Sequence, residues 1–280
     1  MSYAKRILIS SLTSSLLTFS CAAVHAQTIA IPTRGESPTI DRIVSSGVLN
    51  AGAAILSPWL LQDPKTSKYI GPVALISQEV AKALNVKLEY VPATWDTLIA
   101  GLLAKKYEIA AAAILATPQR EKAIGFVNFG YSGTCYVVRP NSPIKSLSDL
   151  NNPKLLYLGY VGLANGTLYH EKYPKTRMQL ISPPPGYGPR VDEVLSGRGD
   201  IAAIDSPLAF WVNHKWPKAK VIPKPEDCLK HPDLNRTVGI GYPKGDKVFE
   251  KFLMEVVAAN KTKIDASTEQ FSQPEWLNKR

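Results

Sequence analysis

WDTLIAGLLAKKYEIAAAA, residues 95–113, combines the two periodicities that decide the fold class. Five of its apolar residues recur at the spacing of one helical face: Trp95, Leu98, Ile99, Leu102 and Leu103. Thr94 stands where an N-cap is expected. Residues 109–113 then form a short, wholly apolar run, typical of a strand that is buried on both faces. Such a helix-to-strand succession predicts an α/β fold.

The same alternation extends in both directions from this stretch. Upstream, residues 48–55 predict a strand, and the apolar spacing within residues 73–84 predicts a helix. Downstream of Cys135, residues 155–161 and 201–204 predict strands of a second α/β lobe. The helices of this lobe are expected to start near three residues: Gly166, Pro189 and Ser206.

The two ends of the region that follows the leader carry weaker patterns. Residues 248–257 predict an amphipathic helix, whose natural place is against the first lobe. Residues 27–46 and the tail after Asp265 are polar, so we expect them to be peripheral.

The first 26 residues have the pattern of a secretory signal peptide. Lys5 and Arg6 precede an apolar stretch over residues 7–19, and the Val24-His25-Ala26 triplet fits a cleavage site. The apolar stretch is too short to span a bilayer. Lipid attachment at Cys21 is an alternative, although residues 18–20 lack the aliphatic residue that a lipoprotein signal wants.

The chain is basic, with 33 Lys and Arg residues against 23 Asp and Glu residues and a net charge of +10. Cleavage after residue 26 would lower this charge to +8, because the leader holds two basic residues and no acid. Lysines are scattered, without an arginine-rich tract or adjacent stacking aromatics. This pattern argues against nucleic acid as a partner and favours anionic solutes or envelope surfaces.

After leader removal, Cys135 and Cys228 are the remaining cysteines. In an oxidising compartment such a pair favours a disulfide, and two separate buried thiols are the alternative. Neither a zinc site nor any other cofactor site is indicated, since no His or further Cys stands at ligand spacing.

Short motifs in a fixed order carry a resemblance to a known family. They are SGVL (46–49), PW (58–59), WDTLI (95–99), YEI (107–109), TPQR (117–120), NGT (165–167), SGRGD (196–200) with Asp205, and GIGYPKG (239–245). Over residues 46–277 the chain resembles the family 3 solute-binding proteins, the periplasmic amino-acid receptors of ABC importers.

The resemblance implies a two-lobed periplasmic binding protein-like α/β fold with a hinge of two crossing strands. Lobe 1 would comprise residues 47–133 and 239–280, and lobe 2 residues 134–238. The implied function is capture of a small polar, amino-acid-like solute by hinge closure. The implied protein is a periplasmic monomer that partners the permease subunits of an ABC importer, with no catalytic residues.

Two charged residues are expected to bind the ligand. By resemblance, Arg120 clamps the α-carboxylate, which suits a bidentate guanidinium fork. The alternative is a surface arginine near a helix start. By resemblance, Asp205 holds the α-ammonium from lobe 2, and its alternative role is an N-cap for the helix that begins at Ser206.

Other positions complete the expected pocket. Trp95 corresponds to an apolar clamp, with Leu56 opposite, although Trp95 could equally be core. Trp59 is expected to pack beneath the cleft. Gly166 and Thr167 open a predicted helix whose free N–H groups suit an anionic ligand end.

Small or hydroxyl residues that add hydrogen bonds are common in the family before Thr-Pro, but here the run before Thr117-Pro118 contains Ala113 and Leu115, and Leu115 cannot donate. Leu168 likewise stands where a second Thr is frequent. These residues predict a pocket more apolar than is usual. An enzyme on the same scaffold, similar to cyclohexadienyl dehydratase, is an alternative function, and a sensory or accessory binding protein without an importer is another.

Overall fold

A computed structural model describes residues 29–182 and 188–273, so the predicted signal peptide and Cys21 lie outside the described residues. The helices are α1 Pro38–Ser46, α2 Pro72–Ala83, α3 Leu98–Leu103, α4 Pro118–Ala123, α5 Ala164–Lys172, α6 Gly188–Leu195, α7 Ala209–Lys215, α8 Pro225–Lys230, α9 Lys247–Ala259 and α10 Lys261–Ser272. The strands are β1 Val48–Ala53, β2 Leu61–Gln62, β3 Tyr69–Ile70, β4 Lys87–Pro92, β5 Ile109–Leu115, β6 Gly125–Val138, β7 Leu156–Tyr160, β8 Arg177–Ile181, β9 Ile201–Asp205, β10 Lys220–Ile222 and β11 Asp233–Tyr242.

The main sheet has a parallel half at each end and an antiparallel centre. Its strand order is β4-β1-β5-β11-β6-β9-β7-β8, and β10 pairs with β6. β1 runs parallel to β4 and β5 in the first half, and β7 runs parallel to β8 and β9 in the second. The molecule therefore has the two-lobed α/β fold that the resemblance implies, with one parallel unit in each lobe.

β6 and β11 are the strands that join the lobes. The first part of β6 pairs with β11 from Thr237 to Tyr242, beside β5 of lobe 1. Its last part, Thr134 to Val138, pairs with β9 of lobe 2. These are the two crossing strands of the expected hinge, and the residues at which the lobes divide stay a prediction.

The Cys135–Cys228 disulfide predicted from the sequence is present. It joins β6 to α8 with a Cα–Cα distance of 6.1 Å, and both cysteines are fully buried. Because Cys135 follows the crossing part of β6, the bond secures α8 against the strand that enters lobe 2.

The ends of the described chain are less peripheral than expected. Residues 38–46 form α1, which buries Ile40 and Ile43 in the lobe 1 core, and α10 buries Ile264 and Phe271 while it packs against α2. The prediction was wrong because each helix presents a mostly polar surface and a narrow apolar side. α9 packs against α2 and β6, as expected for a helix that returns to lobe 1.

The helix predicted from Trp95 begins three residues later, at Leu98. Thr94 is not its N-cap: the Thr94 hydroxyl lies 2.7 Å from the Thr97 hydroxyl, and the Thr94 amide donates to Thr97 Oγ1. Local threonine hydrogen bonds of this kind compete with the helix, so residues 95–97 form a turn. Within the described residues, no helix is both long enough and apolar enough to cross a bilayer.

Candidate functional site

A small chamber lies between the lobes. It is bounded by Leu56, Trp95, Ala113, Leu115 and Arg120 of lobe 1 and by Leu163, Ala164, Asn165 and Asp205 of lobe 2. These residues follow, or end, the parallel strands of both lobes. The carboxyl ends of the strands are where ligands bind in open α/β sheets, so the chamber is the candidate binding site.

Arg120 reaches the chamber from the first turn of α4. Thr117 caps this helix, since its hydroxyl accepts a hydrogen bond from the Arg120 amide. The guanidinium donates to the carbonyl of Leu115 at 3.0 Å and, across the cleft, to the carbonyl of Gly162 at 2.7 Å. Burial lowers the pKa of Arg120 to about 10, so the guanidinium stays charged at neutral pH. This contradicts the alternative of a surface arginine.

Asp205 faces the chamber from the end of β9 and is 5% exposed. Its carboxylate accepts a hydrogen bond of 2.8 Å from the indole N–H of Trp59 in lobe 1. Its side chain makes no capping hydrogen bond to the turn that follows, so the N-cap role that stood as its alternative is not realised. The Asp205 carboxylate is therefore held at the lobe interface.

Trp59 itself is a buried core residue that does not line the chamber. Its ring meets Phe129 edge to face, with centroids 5.9 Å apart. Trp59 was expected beneath the cleft, and its contact with the chamber is the hydrogen bond to Asp205. The structure adds what the sequence did not indicate, namely that its N–H group reaches an acid of the opposite lobe.

The remaining chamber wall in lobe 1 is apolar. Trp95 is partly buried and is fixed by a hydrogen bond from its indole N–H to the carbonyl of Ile55, 3.3 Å away. Leu56, Ala113 and Leu115 complete this wall. Apart from the indole of Trp95, whose N–H group is already bonded, none of these apolar side chains can donate a hydrogen bond. Arg120 is therefore the side chain of the lobe 1 wall that can donate to an anionic group.

The predicted lobe 2 residues divide between two cavities. Thr167 and Leu168 line a wider outer cleft of about 590 Å³, which is also lined by Arg120. Gly166 is buried and lines neither the chamber nor this cleft. Its helix, α5, begins at Ala164 and not at Gly166. The free N–H groups of the first helical turn therefore lie two residues earlier in the sequence than predicted.

Sequence reasoning missed Leu163, Ala164 and Asn165, which bring the start of α5 to the chamber. Asn165 is 6% exposed and donates to the hydroxyl of Thr134 on β6. Its position immediately before Gly166-Thr167 was an available signal. No capping side chain marks the start of α5, because Leu163 occupies the N-cap position.

The lobes are in close contact, as in a closed receptor. Gly162 of lobe 2 packs on the backbone of Trp95 and Asp96 in lobe 1, where a Cβ atom would lie 2.5 Å from the Asp96 nitrogen. The hydrogen bonds from Arg120 to Gly162 and from Trp59 to Asp205 also cross between the lobes. Arg120 and Asp205, which line the candidate chamber, thus also make contacts between the lobes.

Over residues 53–273 the chain matches the family model of bacterial extracellular solute-binding proteins, family 3. The chain belongs to this family. The resemblance inferred from the ordered motifs is therefore confirmed.

Relatives of this family 3 solute-binding protein include proteins named for amino-acid binding. A Haemophilus influenzae protein named "Probable amino-acid ABC transporter-binding protein" is 31% identical over 117 residues, 41% of this chain and 45% of the relative. The L-cystine-binding protein TcyA of Bacillus subtilis is 29% identical over 110 residues, 39% of this chain and 41% of the relative. The chain thus spans less than half the length of these curated relatives.

Solved structures match the family 3 solute-binding protein over most of its length. The ancestral amino acid-binding protein AncCDT-1, a precursor of cyclohexadienyl dehydratase, has a TM-score of 0.72 at 25% identity, covering 84% of this chain and 100% of the other. A mutant of ArgBP from T. maritima has a TM-score of 0.70 at 26% identity, covering 83% of this chain and 98% of the other.

Across residues 29–182 and 188–273, no group of three His, Cys, Asp or Glu side chains is placed to hold a metal ion.

Proposed function

We propose that this family 3 solute-binding protein is a periplasmic receptor that captures a small amino-acid-like solute between its lobes and delivers it to an ABC importer. The observation that carries the proposal is that Arg120 and Asp205 line one chamber from opposite lobes. The names of the relatives and solved structures, which refer to amino-acid binding, support the same class of ligand.

The chemistry of closure follows from this arrangement. The open form binds the solute on lobe 1, where Arg120 takes the α-carboxylate. Closure then adds Asp205 to the α-ammonium and the start of α5 to the carboxylate side. Because these groups meet only when the lobes close, the ligand stabilises the closed form by its differential affinity.

The substitution Arg120→Ala tests the carboxylate clamp. A hydrogen bond to a charged group contributes about 1.5–3 kcal/mol, so calorimetric affinity for the ligand should fall roughly ten- to a hundredfold. Arg177→Ala is the control, because Arg177 is an exposed arginine of β8 in neither cavity. An unchanged dissociation constant in Arg120→Ala would contradict the proposed role.

A thermal-shift screen identifies the ligand with which to make this measurement. Amino acids, amines and small carboxylates are added at several concentrations to the protein without its leader. A true ligand raises the melting temperature progressively as its concentration exceeds the dissociation constant. We expect α-amino acids, rather than simple amines, to give this response, because Arg120 requires a carboxylate.

The similarity to a precursor of cyclohexadienyl dehydratase makes an enzyme the second candidate. An enzyme needs a proton-transfer group free to act in the cleft. Asp205 is engaged by Trp59, and Glu171 is an exposed residue of the outer cleft. We therefore expect nuclear magnetic resonance to show the ligand unchanged after prolonged incubation, and conversion that is lost in Asp205→Asn would establish the enzyme instead.

The importer, the periplasmic location and a monomeric state are further parts of the proposal. We expect light scattering to show a monomer. We also expect the protein to stimulate ATP hydrolysis by a reconstituted importer only when the solute is present. A protein that binds the solute but stimulates no importer would be a sensory or accessory binding protein.

A further inference from the structure

The outer cleft continues from the inner chamber. Arg120, Leu163 and Ala164 line both cavities, so a ligand whose amino-acid head occupies the chamber can extend past them into the cleft. The outer cleft, at about 590 Å³, is much larger than the chamber. The groups on its walls therefore act on the ligand's side chain and determine specificity.

Arg236 is a second arginine of this cleft, on the crossing strand β11. It lies opposite Ser132 of β6, and the carbonyl of its neighbour Thr237 accepts a hydrogen bond from the Ala116 amide at 3.1 Å. Ala116 leads directly into α4, which carries Arg120. Neighbouring strands thus bring two guanidinium groups to one cleft.

The Arg236 side chain lacks a partner for its charge. Within the part of the chain that the structure describes, its Nε atom is buried without a hydrogen-bond acceptor, and no acid lies within ion-pair distance of its guanidinium. A buried donor on a charged group that has no acceptor is unfavourable. A ligand that supplies an acceptor would remove this cost.

The two acids that line the outer cleft are not left without partners in the way that Arg236 is. Asp96 and Glu171 are both exposed, so water solvates their carboxylates without a ligand. The Asp96 side chain is also engaged, because hydrogen bonds, first from the Thr94 side chain, lower its pKa. Among the described charged residues that line the outer cleft, Arg236 has a buried donor atom without a hydrogen-bond acceptor.

We propose that Arg236 binds a second anionic group on the ligand, so that the receptor selects a dicarboxylic amino acid. This inference rests on the proposed function, in which Arg120 binds the ligand's first carboxylate and Asp205 binds its ammonium. A planar guanidinium binds a carboxylate through two parallel hydrogen bonds, which an uncharged amide cannot match.

Isothermal titration with matched ligand pairs tests the inference. The pairs are L-glutamate with L-glutamine and L-aspartate with L-asparagine, which differ only in a terminal carboxylate or amide. L-Arginine and L-lysine represent cationic side chains. For the wild type we expect the better dicarboxylic ligand to bind at least about tenfold more tightly than its amide, the fold-change of one charge-assisted contact.

The substitution Arg236→Gln should reduce this preference to less than about threefold, while affinity for the amide partner changes little. Arg177→Gln removes an exposed arginine outside both cavities and should leave the wild-type preference intact. A wild type that prefers amides or cationic amino acids, or an Arg236→Gln variant with the wild-type preference, would overturn the inference while the receptor function stands. Absence of binding by every amino acid would overturn the proposed function as well.

Discussion

At the scale of single residues, the pair Trp59 and Asp205 joins the two lobes at the candidate site. The indole N–H is the group that orients the Asp205 carboxylate from the opposite lobe. A carboxylate so oriented presents its remaining lone pairs to an ammonium in the chamber. We therefore expect Trp59 to act as a positioning residue, although it lines no wall of the chamber.

The substitution Trp59→Phe keeps an aromatic ring in the core and removes this donor. We expect affinity for the amino-acid ligand to fall roughly tenfold, because a hydrogen bond to a charged group is lost. Affinity for the des-amino analogue of the ligand should change much less, since that analogue does not contact Asp205. Calorimetry on both ligands measures the difference.

A double-mutant cycle provides the control for this prediction. If Trp59 acts through Asp205, Trp59→Phe should add little to the loss caused by Asp205→Asn. Equal effects of Trp59→Phe in the presence and absence of the Asp205 carboxylate would show that the tryptophan contributes only to packing.

Residue roles of this kind were only partly predictable. Arg120 and Asp205 were assigned from short motifs, and the structure brings both to one chamber. The contact between Trp59 and Asp205 joins positions 146 residues apart. Neither residue type nor spacing indicates such a pairing, because it depends on how two lobes meet.

At the scale of elements, the start of β11 is anchored in lobe 2 by a buried acid. Asp233 accepts hydrogen bonds of 2.7 Å from the hydroxyls of both Tyr136 and Tyr173, and Lys172 forms an ion pair with it. Burial alone would raise the pKa of Asp233, but the hydrogen bonds from Lys172, Tyr136 and Tyr173 outweigh burial and lower it. The ionised form is thus favoured in the folded protein.

The lowered pKa predicts how stability depends on pH. The folded protein binds a proton at Asp233 less readily than the unfolded chain, so this contribution is present above the unfolded pKa of about 3.9. It is lost as the pH falls through the lower folded pKa. Urea unfolding at pH values from neutrality down to about 3 should therefore show a smaller decrease in Asp233→Asn than in the wild type.

Asp265→Asn is the matched control, because Asp265 forms an exposed ion pair with Lys261 on α10. Exposed pairs contribute about 0–1 kcal/mol, so this variant should follow the wild-type pH dependence. If Asp233→Asn and the wild type lose stability in parallel below pH 4, the cluster does not hold Asp233 ionised in the way described.

Elements with a strong apolar pattern were predictable, and those with a weak one were not. β5 is buried throughout, and its continuous run of apolar residues predicted a strand buried on both faces. In α10 two residues are buried along twelve positions, so most of the helix has the composition of a solvated tail. The start of α5 was misplaced because no capping side chain identifies it.

At the scale of the whole molecule, Gly162 is a point where the two lobes approach closely. It adopts a φ of 84°, and it packs on the backbone of Trp95 and Asp96 in the facing lobe. A Cβ atom 2.5 Å from main-chain atoms cannot be relieved by a side-chain rotation. The substitution Gly162→Ala should therefore disfavour the closed form.

Small-angle X-ray scattering measures this effect. The radius of gyration of the wild type should decrease when ligand is added, and that of Gly162→Ala should change little even at saturation. Gly130→Ala, in the crossing strand β6, is the control, because its Cβ atom would make only an ordinary contact of 3.8 Å with Val238. A Gly162→Ala variant that contracts like the wild type would show that this contact does not limit closure.

A crystal structure of the protein with the ligand found in the thermal-shift screen is the most direct measurement. We predict that the ligand lies in the chamber between the lobes, with its α-carboxylate hydrogen-bonded to the Arg120 guanidinium and its ammonium to Asp205. A ligand bound outside the chamber, or one inside it whose carboxylate does not contact Arg120, would contradict the central claim.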